Sequence, residues 1–371
     1  MYMIFVANWD KNKKKTWSGT TYSLKESLEK TNQIKNIEVH QSSKLNKIIF
    51  GAYSFIKYGE FEKNMNFNWP FLNKVSKNIN REIKDNKAEE FILQIGDLAE
   101  IEDSYIYQDL SVGFLLHVRK NDPEAFKYSN FQDIPIAKLE KRDQIQKKRY
   151  EKAKGILTMS KTLEDFLVNV EQIPAEKVFH VGGGINLPLP LTVRKKNRRR
   201  ILFVGRDFER KGGPVLVQAF KKLKNDIFDE LELYIAGPKH LNGYELDSNI
   251  IFLGDLSQED LKYYFEICDI FCMPSKFEAY GLVFIEALSF GLPCIGTNKF
   301  EMRHFIQNGE NGYLLEEPDS AEELSNKIQQ LLTNEEIFSK VRQEAVKYHE
   351  EYSWENVSKK INQISMFNKK P

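Results

Sequence analysis

Two glutamates, Glu278 and Glu286, follow one apolar strand pattern and open an apolar helix pattern. Glu286 is the only charged side chain between positions 281 and 296, so its carboxylate is expected to be partly desolvated, at a cost of several kcal/mol unless something binds it. Ligand hydroxyls would satisfy it, and the free backbone N–H groups of the first helical turn suit phosphate oxygens. The pattern favours two glutamates that hold sugar-like hydroxyls beside a phosphate. Pairing of Glu286 with an internal arginine, or its location at a solvent edge, is the alternative.

A cationic loop from Gly205 to Gly213 is the second candidate site. It follows a strand pattern, and Arg206 and Lys211 could clamp a diphosphate through charge-assisted hydrogen bonds. The loop is not a phosphate loop of the GxxxxGK[ST] type, because Arg210 stands where the second glycine should be. The alternative is a solvated surface loop. We favour the ligand site, because the loop is expected at the same sheet edge as the two glutamates.

The elements that must position these residues alternate between strand and helix patterns, which predicts parallel sheets covered on both faces, with ligands at the carboxyl ends of the strands. In the second half, strands are predicted at 201–205, 231–237, 249–254, 269–275, 293–297 and 312–315, and helices at 214–225, 257–268 and 320–332. In the first half, strands are predicted at 2–8, 47–52, 90–98, 104–111, 155–160 and 178–183, and helices at 69–85, 138–154 and 162–170.

Length and charge indicate two domains. The 371 residues carry 54 Lys+Arg and 53 Asp+Glu, but residues 1–200 hold 35 basic and 25 acidic residues, whereas residues 201–371 hold 19 and 28. The net charge of +1 therefore hides a basic first half and an acidic second half. The shift falls near the proline-bounded, basic stretch 187–200, which we interpret as a linker.

The two candidate sites and the intervening segment 249–275 resemble the nucleotide-sugar half of the retaining GT-B glycosyltransferases, group 1 (family 4). Gly19 in the first strand-to-helix turn, the segment 159–186 and the motif YSWENVSKK near the C-terminus extend the resemblance. It implies an α/β GT-B fold of two Rossmann-like, doubly wound domains facing across a cleft. The implied domains are an acceptor-binding domain (1–190), a nucleotide-sugar-binding domain (191–350) and a C-terminal helix (351–371) that packs back on the first domain.

The resemblance also implies roles for individual residues. Glu278 would contact the transferred sugar, Glu286 the ribose hydroxyls, and Arg206 and Lys211 the leaving diphosphate. The backbone would bind the donor at Gly19, Gly205, Leu256, Ala279, Tyr280, Gly281 and Leu282.

The sequence departs from the family pattern at one place. Many relatives carry a histidine near the donor sugar, after a strand of the first domain. Here Asp109 stands at the equivalent place, and His117 follows eight residues later in a predicted helix. Asp109 is the favoured active-site residue, with His117 interpreted as a helix-face histidine.

The expected activity is a retaining transfer of a hexose-type sugar from a nucleotide-sugar, with UDP the favoured nucleotide, to a glycan or lipid-linked acceptor of cell-surface polysaccharide synthesis. Neither a cofactor nor a metal is expected, because the cations and the helix N-terminus would carry the charge. Protein O-glycosylation or extension of a protein-linked glycan, a nucleotide-sugar epimerase, and a non-catalytic nucleotide-sugar-binding partner remain alternatives. A nucleic-acid partner is not expected, since no basic-aromatic recognition module is present.

A cytoplasmic protein is expected, because no signal-peptide layout is present and the three cysteines indicate neither a disulfide framework nor a zinc site. The basic segments 11–15 and 138–154 could attract the enzyme to the anionic inner face of the membrane. A solvated helix face is the alternative for 138–154. The acidic loop 97–103 is interpreted as a solvated turn rather than a cation site.

Overall fold

The computed structural model describes residues 1–40, 44–59, 62, 64–84, 91–188, 199–226, 230–241, 243–244 and 247–367. These form two compact units. Unit 1 comprises Met1–Pro123, Phe131–Gly184 and Trp354–Pro371, and unit 2 comprises Glu124–Asn130 and Ile185–Ser353. The predicted domain boundary at 190/191 and most of the predicted linker lie outside the described residues.

Unit 1 is built on a six-stranded sheet in the order β2-β1-β3-β4-β5-β6, with every pairing parallel. Its central strands are almost continuously apolar and buried, as expected when helices cover both faces. The strands are β1 (Tyr2–Trp9), β2 (Gln33–His40), β3 (Phe91–Ile95), β4 (Tyr105–Gln108), β5 (Gly155–Thr158) and β6 (Val178–His180).

The helices of the first 184 residues are α1 (Thr20–Glu29), α2 (Lys44–Tyr58), α3 (Trp69–Lys84), α4 (Val112–Asn121), α5 (Pro123–Phe126), α6 (Ile136–Lys152) and α7 (Lys161–Asn169). Short 3-10 turns occur at Lys13–Gly19, Met65–Phe67 and Ala175–Lys177. The chain returns to unit 1 in its last helix, which hydrogen-bonds to the segment after α1 through Asn362 and Asn32. Where the last helix begins, at Trp354, the neighbouring residue Gly184 must be a glycine, because a Cβ atom on it would lie 2.4 Å from the Trp354 ring.

One predicted strand of unit 1 is wrong. Residues 47–52 belong to α2, whereas the strand that pairs with β1 is β2, which the sequence reading missed. Short apolar runs do not distinguish a strand from a helix, and here the run continues with the same apolar character to Tyr58. Strand β2 lies at the edge of the sheet and therefore carries polar and charged side chains, so its sequence lacks the apolar run that predicted the other strands.

The acidic loop after β3 is not simply a solvated turn. The Asp97 carboxylate is buried and accepts two hydrogen bonds from Arg142, both 2.7 Å long, and a third from Arg149 at 3.3 Å. Burial would raise the pKa of Asp97, but the two guanidinium groups outweigh it and hold that pKa below its ordinary value. Two cations of the basic segment 138–154 are therefore internal, and only its remaining lysines can face solvent.

Unit 2 contains a second parallel sheet, in the order β12-β11-β10-β7-β8-β9. Its strands are β7 (Arg200–Val204), β8 (Glu232–Ala236), β9 (Ile250–Gly254), β10 (Ile270–Cys272), β11 (Cys294–Thr297) and β12 (Gly312–Leu315). Its helices are α8 (Gly213–Asp226), α9 (Gln258–Ile267), α10 (Leu282–Ser289), α11 (Met302–Phe305), α12 (Ala321–Thr333) and α13 (Glu335–Glu351), and α14 (Trp354–Phe367) follows in unit 1. All six strands match the predicted ones.

Serine N-caps fix the starts of two helices in unit 2. Ser257 caps α9 by accepting a hydrogen bond from the Asp260 N–H at 3.1 Å, and Ser320 caps α12 in the same way through Glu323. The Glu323 carboxylate accepts hydrogen bonds from two backbone N–H groups at positions 316 and 317, which anchors the strand-to-helix turn. Among the described residues, no helix is long and apolar enough to cross a membrane.

Candidate functional site

Two loops at the carboxyl ends of β7 and β10 form the candidate site in unit 2. These strands are neighbours in the sheet, so the loop 205–213 and the loop 273–281 start side by side. The Lys276 N–H donates to the Arg210 carbonyl at 2.8 Å, and the Arg210 Nη1 donates to the Phe277 carbonyl at 2.8 Å. These hydrogen bonds fix the cationic loop against the loop that carries the first glutamate.

A largely buried ion pair lies where the two loops meet. Lys211 Nζ donates a short hydrogen bond to the Glu278 carboxylate, and the two side chains are only 13% and 11% exposed. Burial lowers the pKa of Lys211, although the Glu278 carboxylate opposes that shift. Arg210 Nη1 lies 3.9 Å from the same carboxylate oxygen, so Glu278 faces two cations. The structure thus brings together Lys211 and Glu278 as a group that can interact with both hydroxyls and anionic oxygens.

Arg210 is a component of the candidate site that was not predicted from the sequence. Its Nε donates to the Asp207 carboxylate at 3.1 Å, and its backbone N–H donates to the other oxygen at 3.2 Å. The i, i+3 spacing of Asp207 and Arg210 was the available signal. Arg210 therefore acts as a brace between the two loops, while its charge remains close to Glu278.

Gly205 and Arg206 begin the cationic loop. A Cβ atom on Gly205 would lie 2.8 Å from Lys211 Cγ, so a glycine is needed for the lysine stem to pass. The Arg206 side chain is 77% exposed and lies 3.4 Å from the Asp255 carboxylate. Leu256 follows Asp255 directly and is half-buried. Arg206 thus lies in solvent beside Asp255, whereas Lys211 and Glu278 are largely buried.

The stretch Ala279–Leu282 leads into α10, which begins at Leu282. Gly281 is the N-cap and adopts φ 94°, a left-handed conformation that favours glycine. The Tyr280 ring is buried edge-on against Phe305, with 5.1 Å between ring centroids. The turn is therefore fixed by packing on one side and by glycine geometry on the other, which leaves the first N–H groups of α10 at the same edge as Glu278.

Glu286 lies one turn further along α10. Its side chain is almost fully buried, and within the described residues its one hydrogen-bond donor is the Asn186 backbone N–H, at 3.3 Å. Burial raises the pKa of Glu286 to about 7, with the Asn186 N–H opposing the shift. The predicted desolvation of this carboxylate is confirmed, and Asn186 is a partner that the sequence reading did not identify.

The two candidates in the first half of the chain lie in unit 1. Gly19 adopts φ 92° and forms the N-cap of α1, directly after two further left-handed residues, Trp17 and Ser18. Asp109 follows β4, and its side chain is half-buried. His117 lies on α4 with its ring 5.3 Å from that of Phe166, as expected for a histidine on a helix face. Their roles toward a ligand remain predictions.

The sequence predicts neither a metal site nor a disulfide framework. Within the described ranges, no group of three or more His, Cys, Asp or Glu side chains could hold a metal ion. Cys268, Cys272 and Cys294 are buried thiols outside any disulfide, and burial raises the pKa of the Cys294 thiol well above its ordinary value.

Comparison with known proteins finds a family match in the second half of the chain. Residues 192–352, which include every unit 2 candidate, match the family model of glycosyl transferases group 1. A lipopolysaccharide 1,2-N-acetylglucosaminetransferase of Salmonella typhimurium is 26% identical over 179 residues, which cover 44% of this chain and 47% of the relative. The chain spans about half the length of the curated relatives it matches.

Solved structures match the fold over the whole chain. Sucrose-phosphate synthase from Thermosynechococcus elongatus superposes with a TM-score of 0.70 at 17% identity, covering 99% of both chains. The pneumococcal O-GlcNAc transferase GtfA, solved with UDP and GlcNAc, gives a TM-score of 0.55 at 15% identity, covering 81% of this chain and 60% of that one. The two parallel six-stranded sheets thus form a GT-B fold. The segment 192–352 is thus similar to the group 1 glycosyl transferases, and the chain as a whole shares the GT-B fold.

Proposed function

We propose that this protein is a retaining glycosyltransferase that transfers a hexose-type sugar from a UDP-sugar to a glycan or lipid-linked acceptor of cell-surface polysaccharide synthesis. The observation that carries the proposal is the buried Lys211–Glu278 pair, with Arg210 beside it, at the carboxyl ends of β7 and β10. Two largely buried cations face the Glu278 carboxylate, and a bound diphosphate would replace that carboxylate as their partner. Its oxygens then become available to sugar hydroxyls.

The proposed reaction breaks the bond between the anomeric carbon and the diphosphate oxygen, whose electron pair leaves with UDP. A new bond forms between that carbon and the acceptor oxygen on the same face of the sugar. The acceptor proton passes to the departing phosphate oxygen, so the products are the glycoside and protonated UDP. Lys211, Arg206 and the first N–H groups of α10 would stabilise the charge that develops on the diphosphate, without a metal ion.

Glu278 and Glu286 have separate proposed roles. Glu278 would accept hydrogen bonds from the transferred sugar and stabilise positive charge at its anomeric carbon. Glu286 would accept hydrogen bonds from the ribose hydroxyls. These would replace the hydrogen bonds to water that the carboxylate loses on burial. Gly19, Gly205, Leu256 and the backbone of 279–282 would complete the donor site, and Asp109 would assist near the sugar.

Two relatives support the choice of substrates. The Salmonella protein is named a lipopolysaccharide 1,2-N-acetylglucosaminetransferase, and the pneumococcal structure contains UDP and GlcNAc. Glycan acceptors and UDP-linked donors are accordingly the first to test. The proposed site of action is the cytoplasmic side of the cell, where nucleotide-sugars are available.

The test combines donor binding with turnover. A thermal-shift screen with UDP-, GDP- and ADP-sugars should show selective stabilisation by a UDP-sugar, since a ligand at 100 times its Kd adds about 2.7 kcal/mol. Transfer to an oligosaccharide acceptor is then followed by NMR, where the anomeric signal should keep the donor configuration, and EDTA should leave the rate unchanged. Glu278→Gln should bind UDP and largely lose transfer. Binding without turnover by the wild type would favour a non-catalytic partner, and near-normal turnover by the variant would exclude the role of Glu278.

A further inference from the structure

Helix α2 in unit 1 presents most of its large apolar side chains to solvent. Gly51 and Ser54 are buried, and the Phe50 ring contacts Phe71 at 5.4 Å between centroids. The large apolar side chains of the other face are 49–81% exposed. They are Leu45 (66%), Ile48 (60%), Ile49 (51%), Tyr53 (49%), Phe55 (58%) and Ile56 (81%).

These six side chains form one continuous surface, which we call the α2 apolar face. At 3.6 residues per turn they fall within an arc of roughly 160°. Lys44 projects at one edge of this arc and Lys57 at the other, and both are exposed. Exposed apolar side chains occur singly on most proteins, but a contiguous face of this kind indicates an interaction surface.

The charges of α2 define what can cover this face. Residues 44–58 contain three lysines and no carboxylate. If two copies of the chain paired through α2, lysines of both helices would come together without a counter-charge on either helix. An apolar stripe bordered by lysines instead matches a helix that lies in a membrane interface, with its apolar side chains among the acyl chains and its cations at anionic headgroups.

We propose that the α2 apolar face inserts into the surface of an anionic lipid bilayer, with Lys44 and Lys57 contacting lipid phosphates. The helix would lie parallel to the membrane plane, because its 15 residues are too few to span a bilayer. This surface differs from the basic segments 11–15 and 138–154 that the sequence indicated. It supplies apolar insertion in addition to charge, which is the combination that stable anchoring requires.

Flotation with vesicles of phosphatidylcholine alone, or with 30% phosphatidylglycerol, tests the proposal without any sugar donor, so its result is independent of the proposed enzymatic activity. The wild type should float with the anionic vesicles. Ile48→Ser/Ile56→Ser should lower the partition coefficient at least about 100-fold, because two large apolar side chains no longer insert. Lys44→Gln and Lys57→Gln should each lower it about fivefold on anionic vesicles. The matched control Val170→Ser/Val346→Ser, which removes two exposed apolar side chains elsewhere, should bind as the wild type does.

A site-specific probe reports insertion directly. The three native cysteines are fully buried, so Ala52→Cys, at an exposed position of α2, can be labelled alone with an environment-sensitive dye. Its emission should rise on addition of anionic vesicles, and that of a label at Val346→Cys should not. Failure of the wild type to float, or flotation of Ile48→Ser/Ile56→Ser at the wild-type level, would overturn the proposal. A dimer in solution that this variant dissociates, without vesicle binding, would assign the face to a second copy.

Discussion

The buried pair Lys211–Glu278 predicts an asymmetry between its two single neutral variants. Glu278→Gln leaves Lys211 and Arg210 close together with no carboxylate between them, whereas Lys211→Met leaves Glu278 with Arg210 at 3.9 Å. The first variant therefore leaves Lys211 without its ion-pair partner and beside a second cation, Arg210, which keeps Asp207. The second variant keeps the contact between Glu278 and Arg210. Glu278→Gln should be the more destabilising change.

The exposures of 11% and 13% place the pair in an environment where charges interact strongly. Two charges about 4 Å apart interact by about 4 kcal/mol at an effective dielectric constant of about 20. Removal of one partner from a buried pair typically costs about 3–5 kcal/mol, which we expect for Glu278→Gln. Lys211→Met should lower the free energy of unfolding by about 1–3 kcal/mol, because the buried Glu278 carboxylate then loses one of its hydrogen-bond partners. The double variant should cost about 1–3 kcal/mol less than the sum.

Equilibrium urea unfolding, followed by circular dichroism, measures all four proteins. The exposed pair Arg200–Glu232 serves as the matched control, because its side chains are 40% and 37% exposed and its removal should cost at most about 1 kcal/mol. Saturating UDP should stabilise Glu278→Gln more than the wild type, since the diphosphate would then neutralise Lys211 and Arg210. A larger loss for Lys211→Met than for Glu278→Gln, or strict additivity in the double variant, would refute the reasoning.

Three further predictions rest on single residues. The pKa of Glu286 is raised from 4.5 to about 7, so the folded state holds its proton more tightly, and the free energy of unfolding should fall by up to about 3 kcal/mol as pH rises from 4.5 to 7. Glu286→Gln should remove that decline in pH-dependent urea melts; an unchanged pH profile would contradict it. Gly281→Ala and Gly309→Ala should each lower the free energy of unfolding by about 1–2 kcal/mol, because each places an alanine in a left-handed conformation. Only Gly281→Ala should weaken UDP binding in calorimetry. Its Cβ atom would lie 3.1 Å from Glu278 Cγ, whereas a Cβ atom on Gly309 would meet open space. Asp97→Asn should lower the free energy of unfolding by about 3–5 kcal/mol at neutral pH, because it leaves two buried guanidinium groups without their carboxylate, and a loss below 1 kcal/mol in urea melts would show that the pair is not needed.

Much of unit 2 could be predicted because its local signals agree with one another. Its strands are short apolar runs bounded by turns, and two of its helices carry serine caps, so the strands and helices can be located along the chain from the alternation. The family resemblance rested on these same residues. The sequence also predicted the desolvation of Glu286, since a single charge in an apolar helix must be buried wherever that helix packs.

Other features depend on contacts that no local pattern contains. The run 47–52 reads equally as strand or helix, and its helical form with an outward apolar face follows from the way α2 packs through Gly51 and Ser54. Arg142 looked like part of a basic surface, yet it pairs with Asp97, which lies 45 residues earlier.

The same division applies to the candidate site. The sequence by itself determined which charged residues stand after β7 and β10, because strand ends and glycine-rich turns are local features. Only the tertiary structure decided that Lys211 meets Glu278, 67 residues away, that Arg210 braces both loops, and that Arg206 stays in solvent. The physical reason is that burial and charge pairing depend on which strands become neighbours in the sheet, and that choice is made by the packing of the whole domain.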